Sequence, residues 1–326
     1  MSIAFECVSY SYTDSGHEKR KGFRSRKKSS QPAEKSTPSL EAYGDPKWGT
    51  QPDAHWAIEG IDFELANGEF LGIAGHTGSG KSTLIQHMNG LLHPSRGRVL
   101  LDGRDLADKQ VLQDCRGRVG LVFQYPEHQL FAATVLDDVA FGPRNMGVPE
   151  GEIDSRVRAA LASVQLDADD IGARSPFELS GGQQRRVAFA GILAMEPQVL
   201  VLDEPVAGLD PVAREEFLSL ISGLHESGLT IAMVSHSMDD LARLADRILV
   251  LNGGRQFMVG TPTEVFSHAD ELRNIGLGVP AAQGLANELR EAGIDLDSGL
   301  YDAEKLADTL ARRYHGMTAE RRGEHA

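Results

Sequence analysis

The sequence predicts an α/β fold, and three stretches carry that expectation. Phe70–Thr83 reads FLGIAGHTGSGKST. Phe70, Leu71, Ile73 and Ala74 make an apolar run of buried-strand length, glycines break it, and Leu84, Ile85, Met88 and Leu91 continue with helical spacing. Val199–Leu202 is a second aliphatic run, closed by Asp203-Glu204-Pro205, and Thr230–Val234 is a third, ending in Ser235-His236. Short buried strands of this kind build open α/β sheets, in which ligands gather at the carboxyl ends of the strands.

The remaining elements follow in order. Ile3–Tyr12 alternates weakly and is rich in β-branched and aromatic residues, so it reads as an edge strand. The segment 14–53 carries seven basic residues between Lys19 and Lys28, then mostly Ser, Pro, Gln and Glu. It has too little apolar surface to offset its ordering entropy and reads as a disordered insertion. Its basic run is either a solvated loop or a contact for anionic lipid or RNA. Ile61, Phe63 and Leu65 mark a strand over Ala57–Leu65, with a hairpin turn at Asn67-Gly68. Val99–Leu101 with Asp102-Gly103 gives another strand and turn, and Val119–Phe123 a buried strand ending at Gln124. Helices are expected over Thr134–Asn145, Ile153–Val164, Gln184–Met195 and Pro211–Leu224. In the second, Ile153, Val157, Ala160, Leu161 and Val164 share a face. Ile248–Leu251, a turn at Asn252-Gly253-Gly254 and Gln256–Val259 form a closing hairpin. Thr261-Pro262-Thr263-Glu264 is a capping box with proline at the first helical position.

The character changes after about residue 267. Leu285 and Leu289 with Ala282 and Ala286, then Leu306 and Leu310 with Ala303 and Ala307, suggest two amphipathic helices joined across Asp295–Gly299. The reading divides the chain into a nucleotide-binding domain over 1–266, interrupted at 14–53, a helical extension over 267–315, and a polar, frayed tail over 316–326.

Composition narrows the function. At 326 residues, 41% hydrophobic and 25% charged, the chain can bury a full core. No apolar run approaches the roughly 18 residues of a membrane span. The first residues lack the basic and apolar regions of a secretory signal. A net charge of −14 argues against a general nucleic-acid coat. Cys7 and Cys115 are the only cysteines, suit a reducing compartment and suggest no zinc site.

The opening stretch carries the chemistry. Gly75–Ser82 has the form G-x-x-x-x-G-K-S between a strand and a helix. Glycines let backbone N–H groups curl around a phosphate, and the helix N-terminus adds partial positive charge. Lys81 neutralises β- and γ-phosphate oxygens and the Ser82 hydroxyl can ligate Mg²⁺. Asp203 at a strand end supports the metal, and Glu204 is placed to polarise water against a γ-phosphate.

Together with these, Leu179-Ser180-Gly181-Gly182-Gln183, Gln124, Ala207–Asp210, His236 and Tyr12 resemble, in order and spacing over roughly Ile3–Thr261, the motifs of the ATP-binding cassette (ABC) ATPases. The insertion departs from that pattern. The resemblance implies a RecA-like core, an antiparallel β subdomain and a helical signature subdomain. It implies that ATP is bound by Gly75, His76, Thr77, Gly78, Ser79, Gly80, Lys81, Ser82, Thr83 and Gln124. Tyr12 would stack on adenine, with Tyr10 as a rival for that place. Ser82, Gln124 and Asp203 would hold Mg²⁺, Glu204 would be the general base, and His236 would contact the γ-phosphate and orient Glu204. Two subunits would pack head to tail, the signature Leu179–Gln183 of each covering the other's ATP near the Asp210 loop. ATP would thus join the pair, and hydrolysis would release it.

The wording of GHTGSGKSTLIQHMNGLL, FQYPEHQLFAATVLDDVAFGP, LSGGQQRRVAFAGILAMEP and VSHSMDDLARLADRILVL is similar to the energy-coupling factor transporter ATPases, in particular the second of their two A subunits. His76 and Pro126–Phe131 carry that match. It implies an ATP hydrolase at the cytoplasmic face of a membrane. Its partners would be a second ATPase, a related chain rather than a copy, a transmembrane T subunit and, indirectly, a substrate-binding S subunit, importing a vitamin or transition-metal ion. Tyr125, Leu130 and Phe131 either receive the T subunit or pack in the helical subdomain. The terminal helices either join subunits or pack on their own domain. The alternatives are another importer ATPase, such as the cobalt or nickel type, a non-transport ABC protein acting on nucleic acid or ribosomes, and a dimerisation module without turnover. Intact Glu204 and His236 argue against the last, and no nucleic-acid partner is expected.

Overall fold

The computed structural model describes residues 1–12, 55–297 and 299–323, so the segment 14–53 lies outside the described residues. The strands are β1 (Ile3–Tyr10), β2 (Ile58–Leu65), β3 (Phe70–Gly75), β4 (Arg96–Leu101), β5 (Arg104–Asp105), β6 (Val119–Val122), β7 (Val199–Asp203), β8 (Thr230–Val234), β9 (Arg247–Asn252) and β10 (Arg255–Gly260). The helices are α1 (Lys81–Met88), α2 (Lys109–Arg118), α3 (Val135–Asn145), α4 (Glu150–Ser163), α5 (Ala168–Ile171), α6 (Gly181–Leu193), α7 (Pro211–Glu226), α8 (Met238–Leu244), α9 (Pro262–Ser267), α10 (Ala269–Asn274), α11 (Ala281–Glu291) and α12 (Ala303–Gly323).

The apolar runs form the centre of a sheet ordered β10-β9-β3-β8-β7-β6, whose strands are parallel except for β10 at one edge. β3 and β8 are buried along their whole length because both faces are covered. Alternation along β3 sends Phe70 and Ala74 to one core and Leu71 and Ile73 to another. The first core holds Val139, Leu161, Val187 and Phe189 of the helical subdomain. The second holds Leu84 and Ile85 of α1 and the inner face of a second sheet, where Phe5 stacks on Phe63 at 4.8 Å.

That second sheet is antiparallel, ordered β2-β1-β4-β5. It corrects two sequence expectations. β1 is not an edge strand, because it pairs with β2 on one side and β4 on the other. Asn67-Gly68 is not a hairpin turn either: it joins β2 to β3, which belong to different sheets, and the Gly68 N–H donates to Thr230 Oγ1 at 2.8 Å. An Asn-Gly pair signals a tight reversal, but pairing is decided by which faces must be buried. The other two turns are hairpins with left-handed residues, Asp102 (φ 48°) with Gly103 (φ 74°) and Gly253 (φ 56°) with Gly254 (φ 79°).

Where β4 meets the irregular stretch of β1, Gly97 has φ +79°, and a Cβ there would lie 2.4 Å from the carbonyl oxygens of Glu6 and Cys7. Gly97→Ala is therefore expected to lose about 2–3 kcal/mol in urea unfolding, from left-handed strain plus displaced backbone. An unchanged midpoint would contradict this packing.

Beyond α9, a small separate core of Ala282, Ala286, Leu296 and Leu306 joins α11 to α12. Leu285 is not part of it and is exposed, a correction to the expected helix face. The α12 backbone continues through Gly323, past Gly316 where the sequence suggests a frayed tail. Ala, Glu and Arg after Gly316 are good helix formers, and one glycine costs only about 1 kcal/mol.

Candidate nucleotide and catalytic site

The parallel strands bring their carboxyl ends to one edge. β3 and β7 both neighbour β8, so the glycine loop after β3 and the carboxylates ending β7 face each other across one strand. At the start of the loop, a Cβ on Gly75 would lie 2.3 Å from Ser79 Oγ and 2.7 Å from the Leu251 carbonyl oxygen. At its end, Gly80 has φ +100°, and a Cβ there would fall 2.7 Å from both the Ala57 carbonyl oxygen and Ile58 Cγ2. Gly80 is also the N-cap of α1 and offers no side-chain cap, which leaves the first N–H groups of the helix to another acceptor.

Lys81 is only 7% exposed. Its ammonium donates to the carbonyls of Gly75 (2.7 Å) and His76 (3.0 Å). Burial pushes its pKa down, against the opposing charges of Glu204 and Asp203. The His76 ring bridges the Thr77 carbonyl (2.8 Å) and the Asn252 side-chain amide (3.0 Å), tying the loop to the end of β9. Nothing in the sequence singles out Asn252 beyond its turn.

On the other bank, Ser82 Oγ lies 3.5 Å from Asp203 Oδ2. Burial, and then the neighbouring Glu204, push the Asp203 carboxyl up, with Lys81 opposing. Glu204 has φ 50°, in the left-handed region, and its N–H donates to the Val234 carbonyl at 3.1 Å. Such strain persists where surroundings hold it, commonly at functional sites. Its carboxylate is gripped from two sides: His236 Nε2 is 2.7 Å from Oε1, and Gln124 Nε2 donates to Oε2 at 3.3 Å. Three residues from three strand ends thus converge.

These groups line an open cleft of about 430 Å³, which the loop residues Thr77, Gly78 and Gly80–Thr83 share with Tyr12, Gln124, Glu204 and His236. Tyr12 is 56% exposed and its hydroxyl is 3.1 Å from Thr83 Oγ1, whereas Tyr10 points inward at 7% exposure. Among the described residues no group of three or more His, Cys, Asp or Glu converges to hold a metal alone. Ser82, Gln124 and Asp203 instead offer a partial set of hard oxygen donors. That set suits a Mg²⁺ completed by phosphate and water, and the raised Asp203 carboxyl is the group a cation there would favour in ionised form.

The signature stretch is elsewhere. Ser180 caps α6 in a full capping box with Gln183, and Gly181 and Gly182 have nothing within 4 Å of a would-be Cβ. Ser180, Gly182 and Gln183 line a different cleft between α6 and α7, and none of Leu179–Gln183 lines the cleft at Lys81. Asp210 caps α7, accepting from the N–H groups of Val212 and Ala213 at 3.0 Å each. Of Tyr125, Leu130 and Phe131, which read as either partner-facing or packed in the helical subdomain, Leu130 is 6% exposed and belongs to the core. Phe131 is exposed, edge to face with exposed Phe141 at 4.8 Å, over a groove that also holds Met146 and Met195. Tyr125 is partly exposed and stacks on His128.

A family model described as ABC transporter matches residues 58–207. The energy-coupling factor transporter ATP-binding protein EcfA2 of Symbiobacterium thermophilum is 54% identical over 273 residues, covering 83% of this chain and 93% of that protein. Among solved structures, cbiO1 from Clostridium perfringens, described as part of the ABC transporter complex cbiONQ, superposes with a TM-score of 0.65 at 33% identity, covering 89% of this chain and 98% of that one. A dimeric post-hydrolysis state of the ATP-binding cassette MJ0796, bound to ADP and Pi, gives a TM-score of 0.60 at 25% identity, covering 80% and 98%.

Proposed function

We propose, from the premise that this chain belongs to the ABC transporter family and within it to the energy-coupling factor transporter ATP-binding proteins, that it works as one of two ATPase subunits closing head to tail on ATP. One observation carries this reading. The glycine loop and the Ser180–Gln183 helix start lie in two clefts with no lining residue in common, which supports each being half of a site that a second subunit completes.

The residues divide the work. The N–H groups of Gly75–Thr83 and the Lys81 ammonium hold the β- and γ-phosphates, and Tyr12 stacks on the base. Ser82, Gln124 and Asp203 would hold Mg²⁺, which would supply charge neutralisation at the phosphate oxygens. Glu204 accepts a proton from a water as the water oxygen bonds to the γ-phosphorus, and the bridging oxygen leaves with ADP. His236 holds Glu204 in place from Oε1, 2.7 Å away, and its side chain lines the same cleft as the glycine loop. Once the γ-phosphate is gone, Ser180–Gln183 of the other subunit loses its anion and the pair opens.

Among the described residues no helix is long and apolar enough to cross a membrane. The groove at Phe131, Phe141 and Met146 is an exposed apolar surface of the kind that takes a helix from a membrane partner. In this reading the partner is the transmembrane T subunit, with a substrate-binding S subunit beyond it, and the chain sits on the cytoplasmic face, driving uptake of a vitamin or transition-metal ion. The test is affinity purification of the tagged chain from detergent-extracted membranes. Integral membrane proteins and a second ATPase are expected with it, whereas ribosomes or RNA in their place would overturn the assignment. Phe131→Asp with Phe141→Asp is expected to cut recovery of the membrane partner at least about tenfold while leaving ATP binding to the chain intact, because charges buried in an apolar contact are costly.

A further inference from the structure

We infer that Arg185 is a positioning residue that locks three segments into one unit: the signature helix, the stretch after Gln124 and the turn after Glu204. Through it, engagement of Ser180–Gln183 with the other subunit's nucleotide bears on the placement of Glu204. This rests on the reading of the shared site given above.

Arg185 lies on α6, a little over one turn beyond the Ser180 cap, and is 3% exposed. Its guanidinium makes a fork to Glu127, Nε to Oε2 at 3.0 Å and Nη2 to Oε1 at 2.8 Å. Nη1 donates to the carbonyls of Pro205 (3.3 Å) and Ala207 (2.8 Å). Glu127 is three residues past Gln124, and Pro205 follows Glu204 directly. Burial alone would lift the Glu127 carboxyl, but the Arg185 bonds and a backbone amide hold it below the usual range. The guanidinium also stands over the Tyr125 ring, 5.8 Å from its centroid.

Strain explains why a rigid connector is needed here. Tyr125 (φ 59°) and Glu204 (φ 50°) are both non-glycine residues in the left-handed region, each next to or at a site residue. Backbone of this kind is kept only where its surroundings dictate it. Arg185 touches both places at once, with its cation over the ring of the first and its N–H groups on the carbonyls that follow the second. A planar, fixed fork of donors does this, whereas an ammonium cannot reproduce the set. Its hydrogen bonds do not reach the phosphate loop, so the effect falls on turnover and not on capture of the nucleotide.

The test uses the assembled transporter carrying Arg185→Lys, with Glu127→Gln as a second variant that keeps volume and one hydrogen bond should the first fail to fold. The expected result is a kcat for ATP lowered about 10–100-fold, as for a small misplacement of a catalytic group, with KM and nucleotide Kd within about twofold of wild type. Combining Arg185→Lys with Ser180→Ala is expected to cost less than the product of the single losses, because both act through one unit. A purely packing role predicts a lower melting temperature with unchanged kcat per nucleotide-binding site and multiplicative losses, and that outcome overturns the inference. Glu204→Gln serves as the control: retained turnover there would bring down the reading of the site itself, whereas an inactive Glu204→Gln beside a fully active Arg185→Lys brings down only the role of Arg185.

Discussion

Glu204→Gln lowers ATP turnover of the assembled transporter by about 10²–10⁴-fold, the range for removal of a general base, while ATP still binds. The geometry isolates the chemistry unusually well. Glutamine keeps the length of the side chain, and its amide can still meet Gln124 on one side and His236 on the other. The left-handed backbone at this position and its bond to the Val234 carbonyl involve no side-chain atom, so they survive. What disappears is the ability to take a proton from water. In the proposed function binding is at the Lys81 loop, on the other bank of the cleft, and is expected to keep its strength. ATP-bound pairs should therefore accumulate, because the step that separates them has stopped. Phosphate release by the purified complex, set beside equilibrium dialysis with ATP, separates the two quantities. An unchanged kcat would move the base elsewhere. A loss of binding in step with kcat would mean that Glu204 also holds the nucleotide in place.

Much of the site is legible in the sequence because its geometry is local. A buried strand followed by Gly75–Thr83 fixes a glycine loop and a helix start within a few residues, and Ser180 with Gln183 fixes its own helix start. Thr230–Val234 is a strand over the same residues in both readings, since an aliphatic run between polar neighbours leaves little choice. The illegible parts depend on distant partners. Ile3–Tyr12 reads as an edge strand because nothing local announces β4, which arrives some ninety residues later to cover its second side. Asn67-Gly68 forms its turn, but the strands it joins go to different sheets. Leu130 cannot be told from Phe131 by character, yet one is core and the other exposed. Arg185 reads as one arginine of a pair: Arg186 reaches outward to Glu216, and Arg185 inward to Glu127. Only the helical phase relative to the rest of the fold distinguishes them.

Lys81→Ala is expected to weaken ATP binding by about 30-fold to several thousand-fold, the equivalent of about 2–5 kcal/mol for truncating one partner of a buried charge pair. The lysine is buried by the fold, and its ammonium rests on the Gly75 and His76 carbonyls, within the field of Asp203 and Glu204. A phosphate at the loop therefore meets a cation whose desolvation cost folding has already met. The same substitution has a second, independent signature in stability. Burial lowers the pKa of Lys81 below the ordinary lysine value of 10.5, so between that lowered value and 10.5 the unfolded chain binds more protons at this residue than the folded one. Stability then rises with pH through that window. Lys81→Ala removes this contribution, so the alkaline rise in its urea midpoint should be smaller than in wild type. Binding and stability thus respond in opposite ways to one change: affinity for ATP collapses, while the folded chain without nucleotide is spared the cost of a buried ammonium. Isothermal titration with ATP and urea unfolding across alkaline pH test the two halves. Retained affinity would remove Lys81 from the phosphate site, and an unchanged pH profile would mean that the ammonium is as well solvated in the folded chain as in the unfolded one.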